Sequence, residues 1–95
     1  MKFNHVALIG LGLIASSIAL ALKIKDSKIK ITGYSRSQKT REEANKIGFC
    51  EVCNCYENCI KGADLVILCI PVGAMGDIMK TISPFLSKST VVTDV

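Results

Sequence analysis

The sequence predicts an α/β fold in which helices cover both faces of a doubly wound parallel sheet. Five short segments rich in β-forming residues alternate with helical segments along the chain. HVALIG and ADLVILCI are continuous apolar runs, which are typical of strands buried on both faces of a parallel sheet. With 49% apolar and 21% charged residues and no repeat or linker, the chain is expected to form one domain over residues 1–95, truncated after about five strands.

The first three elements follow from local patterns. HVALIG predicts a short strand that ends at a glycine. LIASSIALALKIK, from Leu13 to about Lys25, predicts a helix whose inward side is formed by Ile14, Ile18, Ala21 and Leu22. IKITGYS alternates as a second strand, which we expect to end at Gly33.

The remaining elements repeat this alternation. SQKTREEANKIG predicts a helix with Ala44 and Ile47 facing inward and Gly48 as its C-cap. A short strand near residues 49–52 and a helical turn near 56–61 follow. ADLVILCI and STVVTDV predict the fourth and fifth strands. Between them, GAMGDIMKTISPFLS predicts a helix with core contacts from Met75, Ile78, Met79 and Ile82.

The apolar start of the chain has three possible interpretations. A secretory signal or a membrane anchor would explain the basic Lys2 before an apolar stretch. However, Gly10 and Gly12 interrupt this stretch, and it is short for a membrane span, which needs about 20 residues. The strand and helix around the glycines favour the third interpretation, a phosphate-binding turn, and we expect no membrane partner.

The glycine-rich turn has the pattern G-x-G-x-x-A from Gly10 to Ala15. Gly10 permits a tight turn out of the strand, and Gly12 lacks a Cβ, so a pyrophosphate can approach the backbone at the helix N-terminus. Ala15 lets the helix lie close to the sheet. Small residues also pack helices for structural reasons alone, but the position of this pattern between a strand and a helix predicts a Rossmann-type dinucleotide site.

The end of the second strand indicates which dinucleotide binds. An NAD site places a carboxylate there, whereas GYSRS offers Ser35, Arg36 and Ser37. An arginine can bind a 2′-phosphate bidentately and the hydroxyls can donate hydrogen bonds, with further positive charge from Lys39 and Arg41. The sequence therefore predicts NADP(H) rather than NAD(H), the alternative being an ordinary solvated basic turn.

The fourth strand is expected beside the first, so its carboxyl end borders the same crevice. We expect the backbone of Cys69, Ile70, Pro71 and Val72 to line the cofactor, although Pro71 could simply end the strand. Asp64 is expected near the surface without a catalytic role. Asp94 faces the crevice side, where a substrate-side role and a structural role remain equally open.

The cysteine cluster CEVCNCYENC superficially resembles a zinc or iron–sulfur ligand set. No histidine is nearby, and a strand over residues 49–53 would direct Cys50 and Cys53 to opposite faces, so we expect reduced cysteines and no metal site. Five cysteines, an odd number, favour a reducing cytoplasm. The net charge of +4 is dispersed and few aromatics accompany it, so we expect no nucleic-acid partner.

Several motifs, in order, resemble the amino-terminal half of prephenate/arogenate dehydrogenases: VALIGLGLIASSIALALK, GYSRS, GADLVILCIPVGAMGDIM and VVTDV. The resemblance implies an NAD(P)-dependent oxidoreductase of tyrosine, hence aromatic amino acid, biosynthesis that oxidatively decarboxylates prephenate or arogenate. By position, it implies that Gly10, Gly12, Leu13 and Ile14 hold the pyrophosphate, that residues 35–37 take the adenosine ribose, and that Pro71 and Val72 line the nicotinamide side.

The resemblance also implies parts that these 95 residues do not contain. In the family, a Gly-Ser turn, a catalytic histidine and a helical domain follow the strand ending TDV, and the enzyme is a cytoplasmic homodimer. His5 opens the first strand, away from the crevice, and takes no catalytic role. We therefore expect this chain alone to bind cofactor without catalysis. A non-catalytic dinucleotide-binding regulatory module and the cofactor domain of a related NADP-dependent reductase are the alternatives.

Overall fold

The computed structural model describes residues 3–95; Lys2, the basic residue considered for a signal sequence, lies outside this range. The elements run β1 His5–Ile9, α1 Leu13–Lys25, β2 Lys30–Tyr34, α2 Gln38–Ile47, β3 Glu51–Val52, α3 Tyr56–Ile60, β4 Leu65–Leu68, α4 Val72–Ile82, a 3₁₀ turn Ser83–Phe85 and β5 Val91–Asp94. Every strand and helix that the sequence predicts is present.

The five strands form one parallel sheet in the order β3-β2-β1-β4-β5. The predicted doubly wound, Rossmann-type α/β fold is therefore confirmed. Ile9, the last residue of β1, pairs with Tyr34 of β2 and with Leu68 of β4, so these three strands end at the same edge. The strand order changes direction at β1, and a crevice between β1 and β4 is where such sheets bind ligands.

Two apolar layers enclose the sheet. On one face, α1 and α2 approach through three small residues, Ala15, Ala19 and Ala44, which are buried against β1 and β2. On the other face, α3 and α4 pack through Cys59, Ile60, Ile78 and Ile82. The short alanine side chains bring α1 close to the central strand, as the sequence predicted for Ala15.

The predicted inward faces of two helices are partly wrong. Ile14 and Ile47 are 59% and 71% exposed, and Ala21 is also exposed, whereas Ile18 and Leu22 are partly buried as expected. Ala15 and Ala19, four residues apart, make the closest approach of α1 to the sheet, which turns Ile14 and Ala21 outward.

The other local expectations agree with the structure, apart from strand ends. Gly48 caps α2 in the left-handed conformation with φ 78°, and Met75 and Met79 contact the α3–α4 face of the core as predicted. β2 continues one residue beyond Gly33 because Tyr34 still pairs with β1. Within residues 3–95, none of the helices has both the length and the apolar character that crossing a membrane requires.

Candidate functional site

The turn after β1 brings three strand ends together at Gly10. Its backbone has φ +96°, and its N–H donates to the Tyr34 carbonyl at 2.9 Å. A Cβ placed on Gly10 would lie 2.4 Å from the carbonyl oxygen of Cys69, at the end of β4. Glycine is required here for both its positive φ and its close approach to a neighbouring strand.

The N-terminus of α1 is open toward the same edge of the sheet. Gly12 is its N-cap, no side chain caps it, and a Cβ on Gly12 would meet nothing within 4 Å. The first turn carries no acidic residue, and the side chains of Leu13 and Ile14 point into solvent, 84% and 59% exposed. Its N–H groups therefore lack helical partners and suit an anion.

The turn between β2 and α2 supplies hydroxyls whose hydrogens are free. Ser37 caps α2 by accepting from the Thr40 N–H at 3.2 Å, and the Ser35 hydroxyl accepts from the Ser37 N–H at 3.3 Å. Because both hydroxyls act as acceptors toward the protein, each retains its own hydrogen to donate to a ligand. Across residues 3–95, no hydrogen bond or ion pair engages the exposed Arg36 guanidinium.

Arg41, in contrast, is engaged within the protein. Its Nη1 donates to the Ser35 carbonyl at 2.5 Å, and its guanidinium carbon lies 5.3 Å from the centre of the Tyr34 ring. Tyr34 also meets Tyr56 of α3 edge to face, with ring centres 4.6 Å apart. Of the two arginines that the sequence places near the turn, Arg36 is thus free of hydrogen bonds within residues 3–95 and Arg41 is tethered.

A cleft of about 260 Å³ opens at this edge of the sheet. It brings together six of the predicted residues: Gly10, Ser35, Arg36, Ser37, Ile70 and Pro71. The sequence did not point to the other residues that line it, namely Ile9, Tyr34, Tyr56, Ala74 and Ile78. A groove of about 300 Å³ between α2 and β3 contains none of the predicted cofactor residues.

Five predicted residues do not line this cleft: Gly12, Leu13, Ile14, Cys69 and Val72. The first three form the start of α1, described above. Cys69 packs its side chain on the α1–α2 face and donates its N–H to Ile9 at 2.7 Å, so it meets the crevice through its carbonyl beside Gly10. Val72 opens α4 and is 81% exposed.

The titratable groups His5 and Asp64 lie at the opposite end of β1 from the cleft. The ring Nε2 of His5 is 2.8 Å from the Thr32 hydroxyl, which in turn donates to the Cys59 carbonyl at 2.7 Å. The Asp64 carboxylate accepts from the N–H groups of Asn4 and His5, and these bonds lower its pKa. Both residues hold strand ends together, whereas the exposed Asp94 ends β5 at the edge that carries the cleft.

The cysteine cluster is divided by the sheet. Cys50 packs on the α1–α2 face and Cys53 on the α3–α4 face, as the alternation of a strand predicts. Burial raises the pKa of Cys50 to about 11 and that of Cys59 to about 12, which favours protonated thiols over metal-binding thiolates. All five cysteines are free, and residues 3–95 contain no group of side chains arranged to hold a metal ion.

Comparison with known proteins agrees with this geometry. The family model described as "Prephenate dehydrogenase, nucleotide-binding domain" matches residues 18–95. The cyclohexadienyl dehydrogenase of Zymomonas mobilis is 37% identical over 93 residues, which cover 97% of this chain and 32% of that protein.

Two crystal structures have the same fold over nearly the whole chain. Prephenate dehydrogenase from Aquifex aeolicus, in complex with hydroxyphenyl propionate and NAD+, superposes with a TM-score of 0.87 at 28% identity, covering 99% of this chain and 34% of that one. Synechocystis arogenate dehydrogenase gives a TM-score of 0.84 at 29% identity, covering 96% and 32%. The chain thus spans about a third of the length of each relative.

Proposed function

The chain belongs to the family of prephenate dehydrogenase nucleotide-binding domains, and from this premise we propose that it is the NADP(H)-binding part of a prephenate or arogenate dehydrogenase. A nicotinamide dinucleotide is the cofactor class for this domain. The preference for NADP over NAD is our inference from this chain's own residues.

One observation carries that preference: Ser35, Arg36 and Ser37 line the same cleft as Gly10, at the start of α2. This turn contains no carboxylate that would bind a 2′-hydroxyl and repel a 2′-phosphate. It offers a free guanidinium and two hydroxyl hydrogens, and α2 has no acidic residue in its first turn. These groups match a phosphate monoester in charge and in donors.

The rest of the dinucleotide would follow the sheet edge. The N–H groups after Gly12, at Leu13 and Ile14, would hold the pyrophosphate, because no Cβ or side-chain cap blocks them. Pro71 and Val72 open α4 across the crevice, and with the Cys69 carbonyl they would border the nicotinamide end.

The complete reaction would also need regions that the relatives have beyond the third that this chain covers. Bound nicotinamide would accept the hydride as prephenate or arogenate loses carbon dioxide, and we assign no catalytic residue within this chain. The substrate site and a homodimer interface would come from regions that the relatives have outside the aligned third. We also propose a cytoplasmic location, which five free thiols support.

Calorimetric titration with NADP+ and NAD+ tests the cofactor proposal. We expect NADP+ to bind more tightly, and Arg36→Ala to weaken NADP+ binding by about 10-fold or more, since a hydrogen bond to a charged group contributes about 1.5–3 kcal/mol. NAD+ binding should change little.

Lys46→Ala is the matched control, because it removes the same charge from the exposed last turn of α2, about 12 Å from the helix start. It should leave both affinities nearly unchanged. Tighter binding of NAD+ than NADP+ by the unmodified chain would contradict the proposal.

A further inference from the structure

Arg41 lies behind the cofactor turn and outside the cleft. It lines the separate groove between α2 and β3, and it does not contribute to the cleft that contains Arg36. We propose that Arg41 is a positioning residue that sets the preference for a 2′-phosphate by holding the Ser35–Ser37 turn in a binding-competent shape. This inference rests on the proposed function, because it concerns the same ligand.

The contacts of Arg41 connect three parts of the site. One nitrogen of the guanidinium donates to the Ser35 carbonyl at 2.5 Å, and the guanidinium carbon lies over the Tyr34 ring, 5.3 Å from its centre. Tyr34 in turn packs edge to face on Tyr56 at 4.6 Å, with the ring planes 65° apart. A residue of α2 therefore fixes the end of β2, and through that ring it reaches α3.

This arrangement determines what the turn presents to the cleft. With the Ser35 carbonyl held, the Ser35 hydroxyl accepts from the Ser37 N–H and the Ser37 hydroxyl caps α2, so each hydroxyl keeps its own hydrogen for a ligand. Arg36 lies between these two serines, is exposed, and lines the cleft. A turn ordered before binding loses less conformational entropy when it closes on a phosphate.

Only arginine can make both contacts of residue 41. A planar guanidinium donates in its plane while its face stacks on an aromatic ring, whereas a lysine ammonium is a strongly hydrated point charge. Arg41→Lys therefore keeps the positive charge beside the turn and removes the planar group that contacts both the Ser35 carbonyl and the Tyr34 ring. This separates positioning from simple electrostatic attraction.

The test uses two probes that differ by one phosphate: adenosine 2′,5′-bisphosphate and adenosine 5′-monophosphate. For the unmodified chain, calorimetry should give a lower Kd for the bisphosphate. We define the Kd ratio as the Kd of the monophosphate divided by the Kd of the bisphosphate. In Arg41→Lys, we expect this ratio to fall by about fivefold or more, with the monophosphate Kd nearly unchanged. Lys46→Arg, the reverse exchange at an exposed position of the same helix, is the control and should leave the ratio unchanged.

A double-mutant cycle tests whether Arg41 acts through Arg36. In an Arg36→Ala background, Arg41→Lys should change the Kd ratio by less than about twofold, because the turn has lost its one charged group and the two hydroxyls alone contribute a smaller preference. A merely structural role would instead lower the affinity for both probes equally. Circular dichroism confirms that each variant is folded before titration.

Two outcomes would overturn the inference while leaving the cofactor proposal intact. In the first, the Kd ratio of Arg41→Lys equals that of the unmodified chain. In the second, Arg41→Lys lowers the Kd ratio by the same factor whether Arg36 is present or replaced by alanine. If Arg41→Lys does not fold, Tyr34→Leu removes the stacking partner and should reduce the ratio more than about twofold; an unchanged ratio there also refutes positioning. No bisphosphate preference in the unmodified chain would instead refute the cofactor proposal itself.

Discussion

Replacing Gly10 by alanine should lower the free energy of unfolding, because this glycine is packed tightly against the end of β4. The new Cβ would lie 2.4 Å from the Cys69 carbonyl oxygen and 3.0 Å from the Ile70 side chain. The oxygen belongs to the backbone at the end of β4, so it cannot rotate away as the tip of a side chain would. A positive φ of 96° adds strain for any residue that has a Cβ.

The magnitude follows from these two costs. A left-handed backbone costs a residue with a Cβ about 1–2 kcal/mol, and an overpacked contact costs about 1–3 kcal/mol. Together they predict a loss of roughly 2–5 kcal/mol from a domain whose free energy of unfolding is expected to be about 5–15 kcal/mol. For a domain of this size, Tm should fall by about 8 °C or more.

Gly12→Ala is the matched comparison at the neighbouring motif glycine. Its φ is −84° and nothing lies within 4 Å of the added Cβ, so the free energy of unfolding should stay within about 1 kcal/mol. The methyl group would instead occupy the approach of the pyrophosphate, and we expect cofactor affinity to fall about 10-fold or more. Urea denaturation followed by circular dichroism measures the first quantity, and calorimetric titration measures the second.

The two variants should therefore separate stability from binding. The reasoning would be refuted if Gly10→Ala unfolded at the same urea concentration as the unmodified chain. It would also be refuted if Gly12→Ala retained full affinity, because the pyrophosphate would then approach the backbone elsewhere.

The remaining predictions concern two buried titratable groups that do not line the cleft, His5 and Cys59. Burial, followed by the charge of Lys30, lowers the pKa of His5 below its ordinary 6.5. Between this lowered pKa and 6.5, the unfolded chain binds more protons than the folded chain, so the free energy of unfolding should decrease as pH falls below about 6.5. His5→Gln should make the free energy of unfolding less dependent on pH, as measured by urea titrations at several pH values. Cys59 is fully buried and its pKa is raised to about 12, so iodoacetamide should alkylate it more slowly than the other four cysteines. Peptide mass spectrometry measures the alkylation of each cysteine. In concentrated urea, which unfolds the chain, the difference between Cys59 and the others should disappear.

The fold was predictable because its signals are local and agree with one another. Each apolar run is short, each intervening helix has a pattern of its own, and Gly48 occupies the left-handed C-cap position that its sequence context indicates. The expectation that the fourth strand lies beside the first follows from the strand order of doubly wound sheets, and the pairing of Ile9 with Leu68 confirms it.

The sequence did not determine which side of α1 and α2 faces the core, nor about half of the residues that line the cleft. A side chain at Ile14 or Ile47 is as apolar as one in the core, and only the packing of alanines against β1 and β2 decides that both point outward. Tyr56 reaches the cleft because α3 is placed beside the end of β2, a tertiary relation that no spacing in the chain encodes. The role of Arg41 depends on which carbonyl its guanidinium meets, and this too requires the structure.

Under our two proposals, cofactor choice depends on one turn and on a residue behind it. The same fold occurs in a relative whose crystal structure contains NAD+, so a preference of this chain for NADP would have to come from its own residues at that turn and not from the fold. In this chain, the groups suited to a phosphate, Arg36 and two serine hydroxyls, belong to three consecutive residues, and their arrangement depends on a fourth residue six positions beyond Ser35. Selection at this site would consequently change with substitutions at Arg41, which does not line the cleft, as well as at Arg36.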